Sequence, residues 1–418
     1  MQKILLFIAS LFYFNFLFSK NEIKSWQGIH ETPLSRLEQQ FAEPPVEFAN
    51  HVIWGWEGKM DKKTICNDLD SIKKKGFRAV IFEAGYKLPF KYLSEEWFKA
   101  IRTGVVEAKK RDMKVWIIDE GKYPSGFAGG KFSQERPDLR MQALVIGDTI
   151  QIKRGEVMTN HKIAPEIISA VAVSTSGAPN RTVEINNGKI SFNAGLDDWK
   201  ILLVKSDFRT AVTRAVNNPN GGKDATNSLC DYLNPVAVQQ FIDWTHKQYK
   251  KYLGKELGTT VLGFRGDEPD YAHLPWTPSI VQTFKDTKGY DPTPYLASFF
   301  TASPTIQEQR VKADYWDVWS SLFATHFFKL QADWCAANGV AHITHLNKEH
   351  EMPACVKAEG DYFRALSKVQ IPGVDAIWNQ IWPSTLNDFP KLASSVAHVY
   401  GKPRAFSESF AAYHISPT

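Results

Sequence analysis

Short apolar runs alternate with stretches of helical periodicity along most of the chain. His51-Val52-Ile53-Trp54-Gly55-Trp56 reads as a first strand. Ile65, Leu69 and Ile72, at i, i+4 and i+7, mark a helix that stops at Gly76. Arg78–Glu83 predicts a second strand, Trp97, Ile101, Val105 and Ala108 the next helix face, and Lys114–Glu120 a third strand. The alternation then breaks. Between Met141 and Cys230, runs such as Leu144-Val145-Ile146 and Ile201–Val204 are separated by Ser176-Gly177 and Asn187-Gly188, which predicts a small β-rich insertion.

Strand–helix alternation resumes at Asn234-Pro235, an N-cap with proline at the first helical position. Val238, Phe241, Ile242, Thr245 and Tyr249 share one helix face, and Thr260–Phe264 predicts strand four. An aromatic helix is expected over Asp314–Ala337. Strands follow at Val340–Thr344, Val374–Trp378 and Arg404–Ser407, with a helix stripe of Leu386, Phe389, Leu392, Val396 and Val399 before the last. Repeated βα units with no dinucleotide glycine fingerprint predict an α/β chain with a (β/α)8 TIM-like barrel. Seven strands are counted, so the barrel is expected to be incomplete at the C-terminus. The predicted division is a signal peptide at 1–19, a lead-in at 20–45, barrel segments at 46–140 and 231–418, and the β-rich insertion at 141–230.

The signal assignment rests on Lys3 followed by the apolar run Ile4–Phe18, too short for a comfortable membrane span. It predicts a secreted or periplasmic protein with no membrane association after cleavage. The net charge of +5 is spread along the chain, with Lys73-Lys74-Lys75 as its tightest cluster, which argues against nucleic acid as a partner. Cys66, Cys230, Cys335 and Cys355 lack zinc-site spacing, and one disulfide is conceivable in an oxidising compartment. Aromatic residues are abundant, at 13%, and Trp and Tyr faces stack on sugars as well as filling cores.

Acidic and polar residues collect at the C-terminal ends of the predicted strands, the face where parallel barrels keep their chemistry. They are Glu83, Asp119-Glu120, Asp267-Glu268, then His345, Asn347 and Glu349, and finally Glu408. Glycosidic cleavage needs one protonated carboxyl and one carboxylate that activates water or attacks. Glu268 is the expected acid, because the charge of Asp267 beside it disfavours ionisation. Glu349 and Glu408 are both candidates for its partner. Trp54, Trp56, Tyr86, Tyr123, Trp276, Trp378 and Trp382 are candidate sugar-stacking residues, and His345 and His350 candidate substrate or metal contacts.

A series of segments resembles glycoside hydrolase family 106, the α-L-rhamnosidase-like barrels. They are Trp54-Gly55-Trp56, Tyr92–Trp97, Asp119–Gly130, Asp231–Pro235, Gly263–Pro269, Leu274–Pro278, Gly339–Leu346, Glu359–Ala365, Ile371–Asp375 and Ser407–Phe410. The most specific is Asp119-Glu120-Gly121-Lys122-Tyr123-Pro124-Ser125-Gly126 with its continuation to Gly130. The resemblance implies a hydrolase removing terminal α-L-rhamnose from an oligo- or polysaccharide with inversion, with calcium as a candidate cofactor. It carries the acid role to Glu268 and offers Glu349 and Glu408 as bases, Glu349 slightly ahead. Trp54, Trp56, Glu83, Asp119, Glu120, Trp276, His345 and Asn347 are then the expected substrate contacts. Arg265-Gly266 and Lys122-Tyr123 depart from the family's usual residues, and its chains run past this one's end. Two other functions compete: a non-catalytic glycan-binding protein or inactive fragment, and a retaining glycosidase using Glu268 and Glu408.

Overall fold

The computed structural model describes residues 34–44, 50–215, 226–271, 273–377, 380–381 and 387–409. Seven parallel strands form one curled sheet, a half-barrel, in sequential order. They are β1 (His51–Trp56), β2 (Ala79–Ala84), β3 (Lys114–Ile118), β4 (Val261–Asp267), β5 (Ala341–His345), β6 (Ile371–Ala376) and β7 (Phe406–Ser409). Strand parity fixes the two faces, because successive side chains point to opposite sides. Ile53, Ile81, Trp116, Ile118, Leu262, Ala341, Ile343, Ile371 and Phe406 meet in one apolar cluster on the concave side. Every strand from β1 to β7 contributes to it, which a flat sheet could not achieve. β1 and β7 remain the two edges of the sheet.

The convex face packs on helices. Trp56, Phe82, Val115, Ile117, Val261 and Phe264 share a buried cluster with Ile65 and Leu69 of the helix Lys62–Lys74 and Trp97, Ile101 and Val105 of Glu95–Lys110. Asp61 and Ser94 cap the two helices by accepting from Thr64 N and Trp97 N. β4 carries an irregularity between Val261 and Gly263 that turns Leu262 inward. Gly263 is required there, since a Cβ would stand 1.9 Å from the Ala341 carbonyl oxygen.

The β-rich segment is an antiparallel sheet in the order Pro275–Trp276, Gln142–Ile152, Trp199–Phe208, Ile167–Ser174, Arg181–Thr182. Its first member comes from beyond β4, so the sheet is tied to the exit of that strand. A separate pair joins Val157–Lys162 to Lys189–Asn193.

Several elements differ from the sequence pattern for identifiable reasons. The helix after Pro235 breaks at Thr245 into Pro235–Trp244 and His246–Leu253, and the Thr245 hydroxyl donates to the Phe241 carbonyl. The aromatic helix starts early, at Ile306, where Thr305 and Glu308 form a capping box. It then passes through a widened turn at Ala324–Phe328 into Lys329–Ala337. A periodicity of 3.6 cannot register such a turn. β7 begins two residues late, at Phe406 rather than Arg404, a shift that preserves which side chains face inward. The lead-in contains a helix, Leu34–Ala42, with no buried residue. The signal segment, Leu386 and Phe410 lie outside the described residues. No helix among the described residues is long and apolar enough to cross a membrane.

Candidate active site

The loop after β3 is folded around one carboxylate. Glu120 is fully buried and accepts from the backbone amides of Gly121, Phe127, Ala128 and Gly129 at 2.5–2.8 Å. Burial pushes its pKa up to about 7, while those four donors work in the other direction. Asp119 accepts from the Ser125 hydroxyl at 2.6 Å. That hydroxyl oxygen accepts from the Asp267 amide at 2.7 Å, and the Ser125 amide donates to the Asp267 carbonyl at 2.9 Å. The loop thereby braces the end of β4, where Glu268 sits with a φ of 37°. This positive φ is uncommon for a side-chain-bearing residue and turns the carboxyl out of the strand register.

The inward positions at the strand ends form a charged layer above the apolar cluster. Register pairs Asp267 with His345 and Asp375 with Glu408. Arg265, on β4, is 2% exposed and donates to Glu408. Its Nη2 also lies 3.6 Å from Asp267 Oδ1 and 2.9 Å from His345 Nε2. Burial opposes charge on Glu408, yet Arg265 and His345 bring its pKa down to about 2. Burial also opposes charge on His345. Asp267 and Glu408, each 3.3 Å from Nε2, nevertheless hold its pKa well above the usual histidine value. The Arg265 contact alone would favour a bare Nε2, and the two carboxylates outweigh it.

Glu268 is in the opposite state. Burial raises its pKa to about 8, with Asp267, Asp375 and Glu349 adding to the rise and His345 opposing it. Tyr123 is hydrogen-bonded to Glu268. Asn347 Nδ2 donates to the Tyr123 hydroxyl at 3.1 Å and to Asp270 at 3.2 Å, and the Asn347 amide donates to Glu359 at 2.9 Å. Glu349 lies on the other side of His345, 3.7 Å from Nδ1, with its side chain 0% exposed. It accepts from the Leu346 amide at 3.0 Å and the Asp375 amide at 3.4 Å, and burial lifts its pKa to about 7. The Glu268, His345 and Glu349 ligand atoms all lie within 4.8 Å of one another.

The expected contacts divide accordingly. Glu268, Glu408, His345, Glu349, Asn347 and Glu83 gather at the mouth or directly beneath it. Glu83 is ion-paired to Lys122 at 2.8 Å, with the Lys122 ammonium also over the Tyr86 ring. Asp119 and Glu120 are fully buried, Asp119 bonded to Ser125 and Glu120 to the loop's backbone amides, so both are placed to position other groups. Trp54 and Trp56 are on the convex face, in ring contact with Phe82, because their parity is opposite to that of Ile53. Trp276 is buried in the core beneath the antiparallel sheet. His350 lies apart, beside Gln380. Trp378 and Trp382 fall outside the described residues. All four cysteines are unpaired thiols.

Arg265 and Asp375 join the site although the sequence analysis has them only in quoted segments, Arg265 as a departure from the family pattern and neither as a site residue. Their signal was present, as a charged residue two positions before a strand-end acid in Arg265-Gly266-Asp267 and inward parity at Asp375.

Two donor sets could be considered for calcium: Asp267, His345 and Glu408, or Glu268, His345 and Glu349. Calcium takes six to eight oxygen ligands. Both sets close with the His345 nitrogen, and the guanidinium of Arg265 already occupies the first. These residues do not fit calcium.

The family profile of glycoside hydrolase family 106, described as alpha-L-rhamnosidase, matches residues 159–417, more than half of the chain. The chain belongs to glycoside hydrolase family 106. Another sequence similar to this family 106 chain is a Formosa agariphila protein named "Putative beta-glucuronidase", 23% identical over 90% of this chain and 35% of its own length. The solved rhamnosidase from Novosphingobium sp. PP1Y shares the fold, with a TM-score of 0.64 and 15% identity over 89% of this chain and 53% of its own. The family 106 chain thus spans about half or less of the length of these two proteins.

Proposed function

We propose that this chain removes a terminal neutral sugar, α-L-rhamnose foremost, from an oligo- or polysaccharide, with Glu268 as general acid and Glu408 as general base. One observation carries the assignment. Glu268 and Glu408 are both partly open to solvent and held in opposite protonation states, whereas Glu83, also partly open, is tied to Lys122. Glu268 keeps its proton through neutral pH and can deliver it to the departing glycosidic oxygen. Glu408 is a carboxylate over the same range and can take a proton from water. Glu349 has the right residue type, but a base must reach water and its side chain is wholly covered. It serves the acid instead, since its charge beside Glu268 favours the protonated form of that group.

The charge of the mouth supports a neutral glycone over a uronate. Lys122 is bound to Glu83, and Arg265 to Glu408 and Asp267. A uronate carboxylate entering there would meet cations already engaged and an excess of carboxylates. Attack by water on the face opposite the leaving group would invert the anomeric centre. Direct attack by Glu408 would retain it, and NMR of the first-released anomer separates the two. The apolar start after Lys3 supports export of the chain.

The test is hydrolysis of aryl α-L-rhamnopyranoside and aryl β-D-glucuronide by the wild type and Glu268→Gln. Turnover of the first substrate, lost in the variant, supports the reading. Turnover of the glucuronide alone would replace the sugar, and binding without turnover of any glycoside would favour a glycan-binding protein.

A further inference from the structure

The acid–base assignment leaves Arg265 unused, although it is among the largest fully buried side chains in the molecule. A guanidinium in the interior of a half-barrel is costly to desolvate and persists only where partners surround it. We propose that Arg265 is a positioning residue whose guanidinium, acting with His345, holds Glu408 as the ionised partner of Glu268. The proposal rests on the acid–base reading above for its catalytic consequence, and on geometry alone for the clamp itself.

The geometry is specific. Arg265 Nη2 donates to Glu408 on β7 and lies 3.6 Å from Asp267 on its own strand. His345 repeats the bridge, with both carboxylates 3.3 Å from the same nitrogen. Two cations are therefore shared between two carboxylates that lie across the curl of the sheet. Glu83 on β2, itself paired to Lys122, and Asp375 on β6 act on Arg265 through space, while Glu349 and Glu268 face the same centre through His345. Asp375 stands beside Glu408 in register and interacts with it unfavourably, and burial also opposes the Glu408 charge, so without the guanidinium its protonation would be favoured. The bond also ties β7, an edge of the sheet, to β4 near the sheet's middle.

An arginine beside a carboxyl lowers its pKa by roughly 1–3 units. Arg265→Gln keeps a donor at the site and removes the charge. The acid limb of its pH–kcat/KM profile is expected to move up by about 1–3 pH units. The basic limb, set by Glu268, is expected to stay in place, and Arg265→Lys to restore most of the wild-type acid limb. A uniform loss of activity with both limbs unmoved would overturn the proposal, because a merely structural role predicts that result.

A second measurement needs no turnover and no folded Arg265 variant. Thermal melts of the wild type and Glu408→Gln are compared from pH 6 down to pH 3. A carboxyl whose folded pKa is depressed contributes stability above its unfolded value, and that stability is lost as pH falls towards about 2. The wild type should be the more stable at pH 6, with the gap closing on acidification. A gap independent of pH would overturn the clamp. If no glycoside is hydrolysed by the wild type while the gap closes as described, the catalytic reading fails and the clamp stands.

Discussion

Ser125 holds Asp267 from both sides of one residue, its amide donating to the Asp267 carbonyl at 2.9 Å and its hydroxyl accepting from the Asp267 amide at 2.7 Å. The loop after β3 is thus fastened to the end of β4, one residue before the acid. Ser125→Ala removes the hydroxyl from between Asp119 and the Asp267 amide and leaves both without it. A loss of about 1–3 kcal/mol in unfolding free energy is expected, with kcat falling more than KM changes. Denaturant unfolding and steady-state kinetics check it; a variant with wild-type stability and kcat would show that the brace is dispensable.

Glu120 is the keystone of that loop. Glu120→Gln replaces an oxygen that accepts from backbone amides by a group that can only donate. The expected cost is about 1.5–3 kcal/mol, with faster amide exchange across 121–130. A variant that loses substrate affinity at unchanged stability would instead make Glu120 a sugar contact.

The buried titratable groups set opposing pH dependences. Glu120, Glu349 and Asp231 have pKa values raised to about 7, mainly by burial. Their stability contribution is present below the unfolded values and is lost as pH rises through 7. Burial lowers His51 and His342 to about 4, and their contribution is lost as pH falls from 6.5 through 4. Three raised acids outnumber two lowered histidines over the window they share, so thermal stability is expected to fall as pH rises from about 5 to 7. A melting temperature rising steadily from pH 5 to pH 8 would contradict these assignments.

Much of the half-barrel is legible in the sequence because its strands are short apolar runs punctuated by helix caps. The ends of the strands are legible too, which is why Glu83, Glu268, His345 and Glu408 stand out as site candidates in the sequence. What the sequence hid was the facing of side chains. Trp54 and Trp56 look like a sugar platform in a linear reading, yet one step of parity from Ile53 sends them to the convex side. Asp119 and Glu120 read as site acids, but their partners are backbone amides and a serine brought in by the following loop, contacts with no periodic signature. Covered Glu349 and partly open Glu408 are indistinguishable as letters, and only the fold shows which one water can reach.

Parity gives a direct test of the tryptophans. Trp56→Ala should cost about 3–5 kcal/mol by emptying the space among Phe82, Trp97 and Trp54. Trp56→Phe should be milder and leave KM for the glycoside within about twofold. A KM rise at unchanged stability would return Trp56 to the substrate.

The most direct measurement is kcat/KM on aryl α-L-rhamnopyranoside for Glu268→Gln, Glu408→Gln and Glu349→Gln, side by side. Glu268→Gln and Glu408→Gln should each lose about 100-fold or more. Glu349→Gln should keep most of its activity, with the basic limb of its pH profile shifted down as Glu268 loses a neighbouring charge. A dead Glu349→Gln beside an active Glu408→Gln would contradict the assignment and make the covered glutamate the base.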